Sequence, residues 1–229
     1  MLKVEDIHTY YGESYILQGV SLNVNKGEIV TLLGRNGAGK TTTLRSIMGL
    51  TPPKRGKIEY KGEEITGKKP HEIFHKGIAL VPQGRRIFSS LTVLENLKIA
   101  SSRKGPWNLE KVLDIFPSLK ERLGHRGNEL SGGEQQMLAI ARALMGNPEL
   151  ILLDEPSEGL SPIVLNAIAK VLVKLREEGF TILLVEQNVQ MALEIGDRHY
   201  IIDQGRVTME ATSKELAKNE EIKRKYLSI

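Results

Sequence analysis

"GEIVTLLGRNGAGKTT", residues 27–42, is the stretch on which the fold turns. Gly27 to Leu33 is a short, nearly continuous apolar run, as expected of a strand buried on both faces. Gly34-Arg35-Asn36-Gly37-Ala38-Gly39-Lys40-Thr41 follows and fits G-x-x-x-x-G-K-[ST], with a helical pattern beginning at Gly39. The glycines let backbone N–H groups turn inward around phosphate oxygens with no side chain in the way. The helix start adds partial positive charge. Lys40 is placed to reach β- and γ-phosphates, and the Thr41 hydroxyl to ligate Mg2+. The bland alternative is a glycine-rich strand-to-helix turn with an exposed lysine. Its flanks, a strand before and a helix after, favour nucleotide binding.

Working outward, Ile78–Val81, Leu150–Leu153 and Thr181–Val185 are further apolar runs of the same kind. A helix is expected from about Pro162 to Glu178, framed by its proline start and by Gly179. Buried strands alternating with helices predict an α/β, doubly wound, mostly parallel sheet. Two regions break the rhythm. Residues 1–26 and 56–66 read as short antiparallel strands with turns at Lys26-Gly27 and Lys61-Gly62. Residues 85–148 hold helical patterns at about 92–100, 108–115 and 131–146 and no convincing strand. The expected organisation is a nucleotide-binding core formed by 1–84 and 149–229, with its antiparallel β subdomain, and a helical subdomain at 85–148 inserted between core strands.

A phosphate loop needs an acidic partner, and Leu150–Leu153 runs into Asp154-Glu155-Pro156. Asp154 ends a parallel strand, where such sheets present their ligands, and is expected to hold Mg2+ through water. Strand side chains alternate, so Glu155 should point elsewhere and serve as general base towards a water in line with the γ-phosphate. A strand cap followed by a turn is the plain alternative. In "TILLVEQN", 181–188, Val185 is expected to be the last buried position, with Glu186, Gln187 and Asn188 crowding where the chain surfaces.

Composition bounds the rest. The 229 residues are 40% hydrophobic and 26% charged, with a net charge of +4. That excess is mild, and Lys and Arg form no basic stripe of the kind nucleic-acid binders show; Lys68-Lys69 and Lys223-Arg224-Lys225 read as solvated surface. No nucleic-acid partner is expected. The absence of cysteine excludes disulfides, thiolate metal sites and cysteine nucleophiles. The N-terminus has no apolar signal-peptide core, and no uncharged stretch approaches the roughly 20 residues needed to cross a bilayer. Any service to a membrane is expected from outside the lipid.

Leu130-Ser131-Gly132-Gly133-Glu134-Gln135-Gln136 is first a good helix start, in which Ser131 caps and Glu134 completes a capping box. Standing between the phosphate loop and the Asp154-Glu155 strand, LSGGE also resembles the signature of ATP-binding-cassette (ABC) ATPases, P-loop NTPases whose motifs here cover essentially the whole chain. The resemblance implies that Gly34 to Thr42 hold ATP, that Tyr11 stacks on adenine, and that Gln83 approaches Mg2+ and relays contact to a membrane partner. It further implies that Ser131, Gly132 and Gly133 address the γ-phosphate of a nucleotide held by an opposite subunit. Two subunits would then close over two ATP molecules and separate on hydrolysis.

Two positions depart from the family pattern. Gln187 stands where most members carry histidine, so a neutral amide that donates a hydrogen bond but cannot ionise is expected near the γ-phosphate, as a catalytic group beside Lys40 and Glu155. Ser161 replaces an Asp that helps couple the two sites. None of the five histidines occupies the switch position, and each reads as surface or core packing. "VEQN", "VPQGRRIF" (81–88) and "EPSEGLSP" (155–162) are similar to the shorter ATPase subunit of branched-chain amino acid importers. That implies permease partners, a second ATPase chain in a heterodimer (with a homodimer open for the isolated protein), and a cytoplasmic, membrane-peripheral location. Subunits for urea, short amides or lipids, and soluble non-transport ABC ATPases, are the alternatives. Arg85, Arg86 and Phe88 are expected either to line a groove for the membrane partner or to form an ordinary surface loop.

Overall fold

The computed structural model describes residues 1–101 and 105–218. The chain begins with two long strands, β1 (Leu2–Tyr11) and β2 (Ser14–Val24), then β3 (Ile29–Leu33) and helix α1 (Lys40–Ile47). Next come β4 (Arg55–Tyr60), β5 (Glu63–Glu64), α2 (Pro70–His75) and β6 (Ile78–Val81). The helical stretch contains α3 (Val93–Ile99), α4 (Leu109–Ile115), α5 (Pro117–Lys120) and α6 (Gly132–Leu144). The last third runs β7 (Leu150–Asp154), α7 (Pro162–Glu177), β8 (Thr181–Glu186), α8 (Val189–Ile195), β9 (Arg198–Asp203), β10 (Arg206–Thr212) and α9 (Ser213–Lys218).

The strands form two sheets. One is antiparallel, in the order β2-β1-β4-β5; the other has the order β10-β9-β3-β8-β7-β6. In the second sheet only β10 runs antiparallel, and β9, β3, β8, β7 and β6 are parallel. The parallel strands bury both faces, and period-two alternation sorts their side chains. Val30, Leu32, Leu150, Leu152, Leu183 and Val185 pack with α1 residues and the antiparallel sheet. Ile29, Ile151, Leu153, Ile182 and Leu184 face the other way, against Leu138, Ile140, Leu172 and Leu175 of α6 and α7. Strands with no polar face therefore follow from being the middle layer of three.

The register matters most for function. Leu33 pairs with Glu186, and Asp154 pairs with Val185. The carboxyl ends of β3, β8, β7 and β6 thus lie side by side, and the loops that leave them share one rim.

The strands at 1–26 are long rather than short, and 198–212 forms a hairpin that the apolar pattern did not mark. In β9, Arg198 and His199 interrupt the run. Arg198 is held by Glu28 at 2.7 Å and by the Asn23 carbonyl at 3.0 Å. His199 is fully buried between the hydroxyls of Thr31 (2.6 Å) and Ser213 (2.9 Å), and burial lowers its pKa to about 4. Polar partners thus let a strand that opens on a half-buried arginine and a fully buried histidine join the sheet, His199 taking the core-packing reading. Lys61-Gly62, both at positive φ, form the tight turn expected between β4 and β5. Between 85 and 148 no strand occurs among the described residues, apart from a single bridge joining Thr92 to Arg126. Lys223-Arg224-Lys225 lies outside the described residues.

Candidate active site

The phosphate loop leaves β3 at Gly34 and re-enters regular structure at Lys40, with Gly39 at φ 112° as the residue before α1. Two of its glycines, Gly34 and Gly39, are demanded by neighbours. A methyl at Gly34 would lie 2.3 Å from the Ile202 carbonyl oxygen, and one at Gly39 would lie 2.8 Å from Leu17 Cδ2. The loop is therefore braced from behind by β9 and β2. The β9–β10 turn completes the brace: the Gly205 N–H donates to the Ala38 carbonyl at 2.9 Å, and the Gly205 carbonyl accepts from the Gln18 N–H at 2.8 Å. Gly205, at φ 75°, admits no side chain, since a Cβ there would sit 1.9 Å from the Ile16 carbonyl oxygen. This support was not read from sequence, although two residues between apolar runs is hairpin spacing.

Lys40 is buried, 4% exposed, and its ammonium donates to the carbonyls of Gly34 (2.9 Å) and Arg35 (3.0 Å) and to Glu155 Oε1 (2.9 Å). Three donors meet three acceptors. Glu155 was expected to point away from Asp154 through strand alternation. Instead β7 ends at Asp154, and Glu155 turns through a left-handed conformation at φ 46°. For a non-glycine residue that is a strained backbone, of the kind found where a side chain must be aimed. Its carboxylate meets Lys40, and the Gln187 amide nitrogen lies 3.3 and 3.4 Å from its two oxygens. Gln187 is exposed and also hydrogen-bonds Asn36 of the phosphate loop.

Asp154, 5% exposed, accepts from the Thr41 hydroxyl at 2.9 Å, and burial pushes its carboxyl above the usual range. Gln83 lies two residues past the end of β6; its amide nitrogen donates to Glu158 at 2.9 Å and approaches Glu155 at 3.4 Å. A cleft of about 290 Å³ is lined by Tyr11, Ile16, Asn36, Gly37, Gly39 to Thr42, Gln83 and Glu155. Tyr11 is 43% exposed, so its ring is available to a flat ligand. Arg35 and Asn36 are exposed on the loop's outer side, while Ala38 and Thr42 are buried beneath it. The Thr41 hydroxyl, Asp154 carboxylate and Gln83 amide are hard oxygen donors of the type Mg2+ accepts. No cluster of three or more His, Cys, Asp or Glu occurs among the described residues, so phosphate and water would complete any Mg2+ shell here.

Ser131, Gly132 and Gly133 do not line that cleft. They open α6, where Ser131 Oγ accepts from the Glu134 N–H at 3.3 Å and Glu134 accepts from the Ser131 N–H at 2.8 Å. The backbone N–H and the hydroxyl of Ser131 together hold the Glu134 carboxyl below the usual carboxylate range. A Cβ on Gly133 would lie 2.7 Å from Val164 on α7, and one on Gly132 would lie 2.8 Å from the Arg85 guanidinium. Ser161 precedes α7 with no hydrogen bond from its side chain to the helix start.

Glu186 corrects the expectation that Val185 is the last buried residue: it is 1% exposed. Arg85 points to Gly132, away from a second, apolar cleft of about 420 Å³ lined by Met48, Phe74, Leu80, Pro82, Ala139 and Arg142. Phe88 borders that cleft through Arg142, whose guanidinium lies 5.1 Å from its ring, and Arg86 does so through its carbonyl, which accepts from Arg142 at 2.6 Å.

Residues 17–158 match the family described as ABC transporter. The chain is 48% identical to the high-affinity branched-chain amino acid transport ATP-binding protein BraG of Pseudomonas aeruginosa, over 99% of each chain. It is 37% identical to the lipopolysaccharide export system ATP-binding protein LptB of Haemophilus influenzae, over 99% of this chain and 97% of the other. A solved ATP-binding cassette of an ABC transporter, in its ADP conformation, superposes with a TM-score of 0.87 at 30% identity, covering 98% and 97%.

Proposed function

This chain belongs to the ABC transporter family, and from that membership we propose that it is the ATP-hydrolysing subunit of an importer for branched-chain amino acids. The solute follows the relative with the higher identity, 48% over nearly its full length. The ATPase chemistry rests on one observation: the ends of β3, β6, β7 and β8 deliver Lys40, Gln83, Asp154, Glu155 and Gln187 to one rim. On this reading Gly34 to Thr42 cradle the phosphates and Tyr11 stacks on adenine. Thr41, Asp154 and Gln83 hold Mg2+, which neutralises phosphate charge when bound. Lys40 leaves Glu155 for the phosphates, freeing that carboxylate to take a proton from the attacking water. Gln187 donates its amide N–H towards the γ-phosphate.

Ser131, Gly132 and Gly133 have no role within their own cleft, so they are assigned to the nucleotide of a second ATPase subunit. The start of a 13-residue helix, exposed at the preceding Ser131, offers N–H donors to an anion. Residues 85–148 then act as the helical subdomain that carries them. The apolar cleft around Phe74 and Arg142 is assigned to a permease segment, with the protein on the cytoplasmic face of the membrane. No helix among the described residues is long and apolar enough to cross a membrane. The second reading, lipid export, has the 37% relative in its favour.

Partner capture decides between them. Glu155→Gln should hold ATP without hydrolysing it, so it serves as bait with ATP and Mg2+ in detergent-solubilised cells, read by mass spectrometry. Two polytopic proteins, a second ATPase and a solute-binding protein for branched-chain amino acids are expected. Lipid-export components, ribosomes or repair proteins in their place would overturn the importer assignment.

A further inference from the structure

Glu186 does not line the nucleotide cleft, yet its carboxylate is the most heavily solicited group beside it. Oε1 accepts the Ser157 N–H at 3.1 Å. Oε2 accepts the Ser157 hydroxyl at 2.7 Å and the backbone N–H groups of Gln187 and Asn188 at 3.1 and 3.2 Å. Four donors from two separate turns therefore converge on one buried carboxylate. No lysine, arginine or histidine forms an ion pair with it among the described residues; N–H and O–H dipoles hold it.

The two turns are those that carry the reactive side chains. Ser157 lies two residues after Glu155, whose own N–H donates to the Val185 carbonyl at 3.0 Å. The strained turn at Glu155 is thus fastened to β8 at both of its ends, by Val185 before it and by Glu186 after it. Gln187, whose amide approaches both Glu155 oxygens, has its backbone fixed by the same carboxylate. We propose that Glu186 is a positioning residue for ATP hydrolysis, a buried clamp that fixes the Glu155 turn against the Gln187 turn so that base and amide face one reacting group. The proposal rests on the reading of Glu155 as the general base. Burying a carboxylate is costly unless it is fully hydrogen-bonded, and an apolar strand end would close the sheet equally well. The carboxylate instead supplies acceptors on both oxygens at the one place where two functional turns meet.

The test combines Glu186→Gln, Ser157→Ala and their double variant with Glu155→Gln, each measured for kcat, KM for Mg-ATP and affinity for a fluorescent ATP analogue. Glu186→Gln puts an NH2 group against N–H and O–H donors. It should lower kcat on the order of 10- to 100-fold, the scale of a small misplacement of reacting groups, with KM and analogue affinity little changed. Ser157→Ala should lower kcat less, and the double variant should be no slower than Glu186→Gln alone, because both changes open the same clamp. Native kcat in Glu186→Gln, an equal loss of analogue affinity, or multiplicative losses in the double variant would refute the clamp. If Glu186→Gln does not fold, Ser157→Ala carries the test, and native kcat there refutes it. Native turnover in Glu155→Gln would instead refute the base assignment, and with it the target of the clamp; loss there with native turnover in Glu186→Gln refutes the clamp alone.

Discussion

Replacing Lys40 by Met should cost the protein fold stability as well as ATP affinity, and the structure sets the size. The Lys40 ammonium and Glu155 carboxylate lie 2.9 Å apart at 4% and 9% exposure. Removing the cation leaves a buried carboxylate beside Asp154, with only the amide donors of Gln187 and Gln83, at 3.3–3.4 Å, among the described residues. Removing one partner of a buried pair costs about 3–5 kcal/mol. The exposed outer loop at Arg35 to Gly37 lets water approach, which argues for the lower end, about 3 kcal/mol. Glu155→Gln keeps an acceptor for Lys40 and should cost about 1 kcal/mol, a typical net hydrogen-bond value. In the double variant the unpaired charge disappears, and the cost that remains is that of the Gly34 and Arg35 carbonyls losing a donor, about 2 kcal/mol. The expected coupling is therefore about 2 kcal/mol, well beyond the roughly 0.5 kcal/mol scatter of independent sites. Urea unfolding without nucleotide at pH 7.5, with slopes checked for constancy, measures all four corners. Additive losses, or a Lys40→Met protein as stable as the native one, would refute the claim that this pair is a stored interaction which ATP must break.

Two more perturbations test separate parts of the account. Gln187→Ala should slow hydrolysis on the order of 100-fold, the scale of losing one donor aimed at developing charge, while ATP affinity changes little; equal turnover in mutant and native proteins would leave Gln187 a strand-ending amide. His199, whose burial lowers its pKa to about 4, should make the fold acid-sensitive earlier than its carboxylates do. The unfolded chain takes up a proton below about pH 6.5 and the native state does not. Stability is therefore intact above that pH and falls towards pH 4, by up to about 3 kcal/mol. Unfolding curves between pH 7.5 and 5 should show the loss in native protein and a flatter profile in His199→Gln; parallel profiles would refute it.

The phosphate loop, the buried parallel strands and the signature helix were legible because each is local. Glycines at fixed offsets, an unbroken apolar run and a serine three residues before a glutamate carry their physics in neighbouring residues. Gly34 to Thr41, Leu150–Leu153 and Ser131–Glu134 needed no partner to be read. The β9–β10 hairpin needed partners: Arg198 is half-buried and His199 fully buried because Glu28, Thr31 and Ser213 satisfy them from 14 to 170 positions away in the chain. The same holds for Glu155 and Glu186. Alternation along β7 gave the wrong reason for Glu155's direction, since the strand stops one residue earlier and a left-handed turn aims it. Glu186 looked like the wet end of a strand, and it became a buried clamp because Ser157 comes back to meet it. Sequence by itself determined which chemistry the chain can perform, through residue types at short spacings. Tertiary structure decided which charges are buried and what holds them, because a polar group's cost depends on donors and acceptors that only the folded chain brings within 3 Å.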